Sequence, residues 1–471
     1  MRTLIRGGRV VTAGDDYTAD VLIEGERITQ LGANLLVPAD RVIDATDRYV
    51  LPGGVDTHTH LASPSAGTVT CDDFFTGTVA AAFGGTTTIV DFATQFAGVP
   101  FADAVATWEA NRTGKAVIDV GFHLAVTDLE GGGGVDALAA MVDAGVPSWK
   151  LFMAYKGAIM VDDDTLLRVM QTAADAGALV LVHAEHGDAI DVLTRQALAA
   201  GRTGPDQHAA TRPPEAEAEA TNRAINLARI AGCDLFVVHV SCGEALASIR
   251  RAREAGWRVW AETCPQYLFC DESQLSLPDF EGAKYTFSPP PRHVSNQPLL
   301  WRALADGALD QLTTDHCPFR WADQKAMGRD DFSKIPNGAP GIEQRLMLAH
   351  HFGVREGRIS LQRMVDVLST TPARLFGLAP RKGSIAVGAD ADVVVFDPAR
   401  EHTISAATHH SAVDYNLYEG MTVVGAPETV LVRGTPVIEQ GRLTVGPGHG
   451  RFVPRAPFRA GTTHVAEGAV A

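Results

Sequence analysis

SWKLFMAYKGAIMVDDDTLLRVMQTAADAGALVLVHAE, residues 148–185, holds two short apolar runs separated by one amphipathic segment. The runs SWKLFMA (148–154) and LVLVHAE (179–185) do not alternate strictly between apolar and polar residues. Near-continuous apolarity is what a strand buried on both faces requires. Between them, DTLLRVMQTAADAG places its apolar residues at helical spacing and ends in Gly177, the residue type that most readily turns the chain after a helix. Strand, helix, strand is the crossover unit of a parallel sheet.

The same theme recurs on both sides. Strands are expected at VLPGGVDTHTH (50–60), TTTIVDFAT (86–94), VIDVGFHLAV (117–126), LFVVHVS (235–241), RVWAETC (258–264) and DQLTTDH (310–316). DALAAMVDAG after Val135 and EALASIRRAREAG after Gly243 add helical patterns that again end in glycine. Alternating strands and helices in this number match a closed (β/α)8 barrel of the TIM type. The chain ends read differently, as short strands and turns: TLIRGGRVVT, DVLIEGERITQLG and RVIDATDRYV first, then GSIAVGADADVVVFDP and ETVLVRGTPVIEQGRL. Neither end suffices for a domain alone, so residues 1–50 and 379–445 are expected to combine into one β-sandwich beside a barrel of residues 51–378. The Gly-, Pro- and Arg-containing tail, 446–471, is expected to be mobile or to dock on a neighbouring subunit.

Composition narrows the function classes. Hydrophobic residues at 46% and charged residues at 20% describe an ordinary globular chain, and a formal charge of −16 disfavours a nucleic-acid partner or a basic membrane-binding face. Six scattered cysteines form no CxxC pair, which fits a reducing cytoplasm. The opening MRTLIRGGRVV lacks a signal-peptide core, and no apolar run is long enough to span a bilayer.

Chemistry gathers where the expected strands end. His58 and His60 lie two residues apart, on one face of the first strand; His183 and His239 end the fifth and sixth strands and Asp315 the eighth. Lys150 is a lone ammonium among Trp149, Leu151, Phe152 and Met153; buried there, it must be answered by a charge or be neutral. Taken singly, each histidine is an ordinary core residue and Asp315 an ordinary turn cap, while a lone lysine snorkels or pairs. Taken together, they meet on the rim where barrel active sites are built. Imidazole and carboxylate without thiolate suit Zn²⁺, with Mn²⁺, Co²⁺ or Fe²⁺ as alternatives. Four histidines and one aspartate exceed what one open catalytic ion takes and suit two ions joined by a bridging anion. A neutral lysine amine that adds CO₂ becomes such a carboxylate.

HTH, KLFMAYKG, HAEHGD, HVSCGEA, TTDHCPF and KIPNGAPGIE, with GSIAVGADADVVVFD and HSAVDYNLYEGM near the end, together resemble the dihydropyrimidinase and hydantoinase branch of the cyclic amidohydrolases. The resemblance runs to about residue 445. It implies that His58, His60 and Asp315 hold one metal and His183 and His239 the other, with N6-carboxylated Lys150 bridging. It also implies a metal-bridging hydroxide as nucleophile, Asp315 as general base and Tyr155 as donor to the oxyanion, with Ser288 and Asn337 gripping the substrate ring largely through backbone atoms. The implied reaction opens a small neutral cyclic amide, a dihydropyrimidine or hydantoin, to an N-carbamoyl amino acid, as in pyrimidine catabolism, and the implied assembly is a homotetramer. His186 and His316 are expected to orient ligands, and His123 to fill the barrel or support one. His350, His351, His409 and His410 read as structural or exposed, and the cysteines, Cys317 included, as without a catalytic part.

Two departures bear on the substrate. Ala62 stands where dihydroorotases of the same superfamily carry an arginine for the substrate carboxylate, which disfavours a charged pyrimidine acid. Allantoinase, the other alternative, shares the metal set without this MAYKG and IPNG context. Ser63, Ser65 and Ile159 replace bulky apolar or aromatic residues usual in the branch, so a larger or wetter pocket is expected. Non-catalytic relatives lose ligands, whereas every one of them is present here.

Overall fold

Eight parallel strands form one continuous sheet: Gly54–Thr59, Thr86–Thr94, Asp119–Ala125, Ser148–Phe152, Leu179–His183, Leu235–Val237, Val259–Thr263 and Gln311–Leu312. These belong to a computed structural model that describes residues 1–458; the rest of the expected tail, 459–471, lies outside the described residues. Each strand pairs with its sequence neighbour, as in the Lys150–Leu181 and Phe152–His183 register. The two sheet edges then meet. Thr59 bridges to His316, the His60 N–H donates to the His316 carbonyl at 2.8 Å, and Thr57 Oγ1 donates to Gln311 Oε1 at 2.7 Å. The sheet thus curls into the expected barrel.

The crossover unit at 148–185 forms as its pattern predicts. The helix Asp163–Ala176 starts where the Asp162 side chain accepts the Thr165 N–H, and ends at Gly177 with φ 74°. Leu166, Val169, Met170 and Ala173 are its buried face, spaced to lie along one side of a helix.

Most expected strands are trimmed by one or two residues at an end, and two lose four at the C-terminal end. The sixth stops at Val237 instead of 241 and the eighth at Leu312 instead of 316. His239 (φ 41°) and Asp315 (φ 47°) take left-handed backbone conformations just beyond those ends, which a regular ladder does not accommodate. The first expected strand, 50–60, divides at Gly53: Tyr49–Pro52 joins the terminal sheet and Gly54–Thr59 the barrel. A Cβ at Gly53 would lie 2.0 Å from Thr87 Oγ1, so the junction needs glycine.

That terminal sheet has nine strands and is mixed, hydrogen-bonded as one sheet where the sequence suggests a sandwich. Arg2–Val11, Asp16–Glu24, Arg27–Gly32, Arg41–Asp44 and Tyr49–Pro52 come from one end, and Val393–Thr403, Thr422–Val432, Thr435–Glu439 and Arg442–Leu443 from the other. Tyr49–Pro52 joins the halves, parallel to Arg2–Val11 and antiparallel to Val393–Thr403. Ile5, Val21, Ile43, Val50, Val393 and Leu431 meet in one apolar cluster built from both termini. Lys382 fastens this region to the barrel, its ammonium 2.6 Å from Asp119, 3.0 Å from Asp390 and 2.7 Å from Asp392. The described part of the tail lies along its own barrel: Val453 N–H donates to the Val120 carbonyl at 2.8 Å, and the Arg455 guanidinium to Ser148 Oγ at 2.6 Å. Among the described residues no helix is long and apolar enough to cross a membrane, and all six cysteines are free thiols.

Candidate active site

A cavity of about 430 Å³ opens at the C-terminal ends of the barrel strands. His58, His60, Lys150, Tyr155, His183, His239, Ser288, Asp315 and Asn337, every site residue expected from the sequence, line it. Asp315 Oδ1 stands 3.1 Å from His58 Nε2 and 3.3 Å from His60 Nε2, and these three residues form a group that could hold a metal ion. Beside them His183 Nδ1 faces His239 Nε2 at 2.9 Å. Of these expected site residues, Tyr155, His239 and Asp315 have positive φ. Strained backbone of this kind persists where surrounding structure enforces it, commonly at functional sites.

Lys150 is fully buried, and its Nζ has no hydrogen-bond partner among the described residues. It stands beside the Phe92 and Phe152 rings, with centroids at 4.9 and 5.1 Å. Burial lowers its pKa to about 8, against the opposing pull of Asp315 and Glu262. Burial likewise lowers His60 to about 4, although Asp315 opposes it. At His58 burial acts in the same direction, but Asp315 and Glu262 outweigh it and raise the pKa to about 9. Burial disfavours the Asp315 carboxylate, yet His58 and His60 hold its pKa well below the usual carboxylate range.

This donor set fits divalent cations. Ligands 2.0–2.2 Å from a shared ion lie roughly 3 Å from one another, as the 3.1 and 3.3 Å contacts of Asp315 and the 2.9 Å contact of His183 with His239 do. Lys150 Nζ is a buried polar atom without a partner, an arrangement costly in a protein unless something fills it.

The supporting shell is where sequence reasoning fell short. Glu262, buried in the seventh strand, accepts from His58 Nδ1, which turns the Nε2 of that ring toward Asp315, and its Oε1 also lies 3.4 Å from the His239 N–H. Glu185 sits 2.8 Å from His183 Nε2 and is held in turn by Arg212 at 2.7 Å. Orientation of this kind is the usual work of carboxylates behind histidine ligands. A charged residue inside the apolar run RVWAETC is the same signal that singles out Lys150, and it points to Glu262. His186 and His316 are not the orienting residues. The His186 ring lies 3.4 Å from the Ala189 N–H and caps a helix, and the His316 ring pairs with Asp72 at 2.9 Å; only the His316 backbone reaches the site, through His60. His123 fills the barrel interior between Ser148 at 2.6 Å and the Thr57 carbonyl at 3.0 Å, stacked on Phe92. His350 and His351 brace Val424, and His410 stacks on Phe83.

Ser63, Ser65 and Ile159 line the mouth with Pro64, Ala66 and Phe96. Pro64–Ser65 and Thr68–Val69 form a small hairpin turning through Ala66 and Gly67, both with positive φ, as a two-residue hairpin turn requires.

A parallel barrel with histidines and an aspartate at its strand ends defines the amidohydrolase class, and the model of the Amidohydrolase family matches residues 49–437. The chain is 52% identical to the D-hydantoinase of Geobacillus stearothermophilus over 460 residues, 98% of each chain. It is 51% identical to the D-hydantoinase of Streptomyces coelicolor, covering 97% of this chain and 98% of that one. The crystal structure of the dihydropyrimidinase from Brevibacillus agri superposes with a TM-score of 0.96 at 53% identity, covering 98% of this chain and all of the other. The protein belongs to the dihydropyrimidinase and D-hydantoinase family.

Proposed function

We propose that the protein hydrolyses a neutral cyclic amide, a 5,6-dihydropyrimidine or a hydantoin, to an N-carbamoyl amino acid. In this reading His58, His60 and Asp315 hold one divalent cation and His183 and His239 a second, with the carbamate of Lys150 shared between them; Zn²⁺ suits the donors best. The observation that carries it is the Lys150 amine, buried without a partner beside four imidazoles and one carboxylate. Conversion to a carbamate gives that stem the two oxygens a pair of cations needs.

Bound there, the cations supply Lewis acidity toward the amide carbonyl and bring the pKa of water to about 7. Asp315 takes the proton of the attacking water and delivers it to the departing ring nitrogen. Tyr155, half-buried, faces Ser288 and Asn337 with its hydroxyl and keeps its proton, since burial raises its pKa above the ordinary value. A neutral phenol aimed at the carbonyl oxygen stabilises the charge that develops there. Ser288 and Asn337 hold the ring in line. Apart from the histidines, Lys150 is the only basic side chain among the described residues that line the cavity, so no guanidinium waits for a substrate carboxylate. That disfavours a dihydroorotase activity. The family resemblance and free cysteines support a cytoplasmic enzyme, and the resemblance a homotetramer.

The test is the ring-opening rate on dihydrouracil, hydantoin and a 5-substituted hydantoin, with zinc and bicarbonate present. Ser63, Ser65 and Ile159 predict that polar or bulky 5-substituents are accepted at rates within about tenfold of the unsubstituted ring, a difference of roughly 1.4 kcal/mol in barrier. A folded, metal-loaded protein that turns over none of the three overturns the reading.

The supporting carboxylate gives a separate prediction. Glu262→Gln should weaken metal binding about 10–100-fold, the usual cost of losing an orienting partner behind a ligand. Competition with a chelator measures it, and unchanged affinity would mean that Glu262 does not orient His58 for metal.

A further inference from the structure

Lys325 is fully buried yet stands outside the cavity lining. Its ammonium donates to the carbonyls of Thr286 and Pro336 at 2.7 Å and of Gly338 at 2.8 Å, which uses all three of its hydrogens. Burial lowers its pKa to about 7 and only Cys317 acts against that, so no carboxylate compensates the cation. A buried ammonium without a counter-ion is costly.

The three carbonyls are not scattered. Pro336 and Gly338 flank Asn337 on either side, and Thr286 lies two residues before Ser288. The two segments also touch directly, since the Gly338 N–H donates to the Thr286 carbonyl at 3.1 Å. Gly338 has φ 156°, and a Cβ there would lie 2.2 Å from the Cys317 carbonyl oxygen, so the fit around Asn337 leaves no room for a side chain. The peptide that joins Pro336 to Asn337 gives its carbonyl to Lys325, while its N–H, that of Asn337, takes no acceptor among the described residues. A cation on the carbonyl end of a peptide polarises it and strengthens the N–H at the other end as a donor.

We propose that Lys325 is a positioning residue for the substrate: it fixes the spacing of the Ser288 and Asn337 segments and sharpens the Asn337 N–H that meets the ring. This rests on the proposed function, because it is the cyclic amide that Ser288 and Asn337 are taken to grip. The side chain acts through the two segments and never touches the substrate.

Lys325→Gln keeps amide donors without the charge, and Lys325→Met removes both. For metal-loaded protein, Lys325→Gln should raise KM for dihydrouracil or hydantoin about tenfold, the effect of losing one charge-assisted contact, with kcat changed less and metal content unchanged. Lys325→Met should raise KM further. Hydrogen exchange supplies a readout that needs no turnover: in Lys325→Gln, the hydrogen-bonded amides of Thr286, Phe287 and Gly338 should exchange faster while those around His58 and His183 keep their protection. If Lys325→Met fails to fold, Lys325→Gln carries the test. Wild-type KM together with wild-type exchange in both segments overturns the proposal. A wild-type protein inert toward every cyclic amide defeats the proposed function instead; exchange then still decides whether Lys325 fixes the two segments, and unchanged exchange ends the proposal there too.

Discussion

Lys150→Ala is expected to lower kcat/KM at least about 10³-fold and to cut bound metal from about two ions per chain toward one. The size follows from what the side chain contributes. In the proposed reading the carbamate would be the anion shared by both cations, and without it the imidazoles would be left on their cation-facing side with Asp315, while Glu262 and Glu185 stand behind His58 and His183. A small free carboxylate supplied to the variant should return part of the metal and part of the rate, since the truncated stem leaves space for it. Stability separates this role from a structural one. Compared free of metal, Lys150→Met, which keeps the buried stem and removes only an amine without a hydrogen-bond partner, should leave thermal stability unchanged or raised, whereas loss of a buried ion pair would lower it by several kcal/mol. Metal analysis and thermal unfolding of the two variants check both halves.

Asp315→Asn is expected to cost about 10²–10⁴-fold in kcat, the range for removing a positioned general base. The change is nearly isosteric, but an amide cannot take the proton of water or neutralise the two imidazoles that hold the Asp315 carboxylate ionised. Metal at the His58 and His60 position should weaken as well, while the His183 and His239 position is affected less. A variant with full activity would place the proton transfer elsewhere in the cavity.

How much of this was legible in the sequence differs from element to element. The barrel strands stood out because strands covered on both faces must be apolar along their length, and 179–185 or 86–94 leaves no other reading. The histidine positions followed, because a strand end in a barrel fixes where its last side chain goes. The ends of the sixth and eighth strands did not, because the left-handed backbone of His239 and Asp315 is imposed by their surroundings and not by residue type. The division of 50–60 between two sheets turns on one close contact of Gly53 with Thr87, which no local pattern encodes. Glu185 and Lys325 escaped for a related reason. A buried charge is satisfied by partners distant in sequence, here Arg212 and three backbone carbonyls, and that pairing has no spacing signature.

The proposed ring opening would depend on two cations held by His58, His60, His183, His239, Asp315 and a carboxylated Lys150. Its most direct test strips the protein with a chelator, confirms that it remains folded, and follows dihydrouracil opening before and after zinc and bicarbonate are returned, with metal content measured alongside. No turnover should be detectable in the stripped protein, and the rate should recover in step with the return of about two ions per chain, with bicarbonate required for full recovery. Turnover that survives complete removal of metal, or a fully reloaded and folded protein that opens no cyclic amide, would contradict this reading.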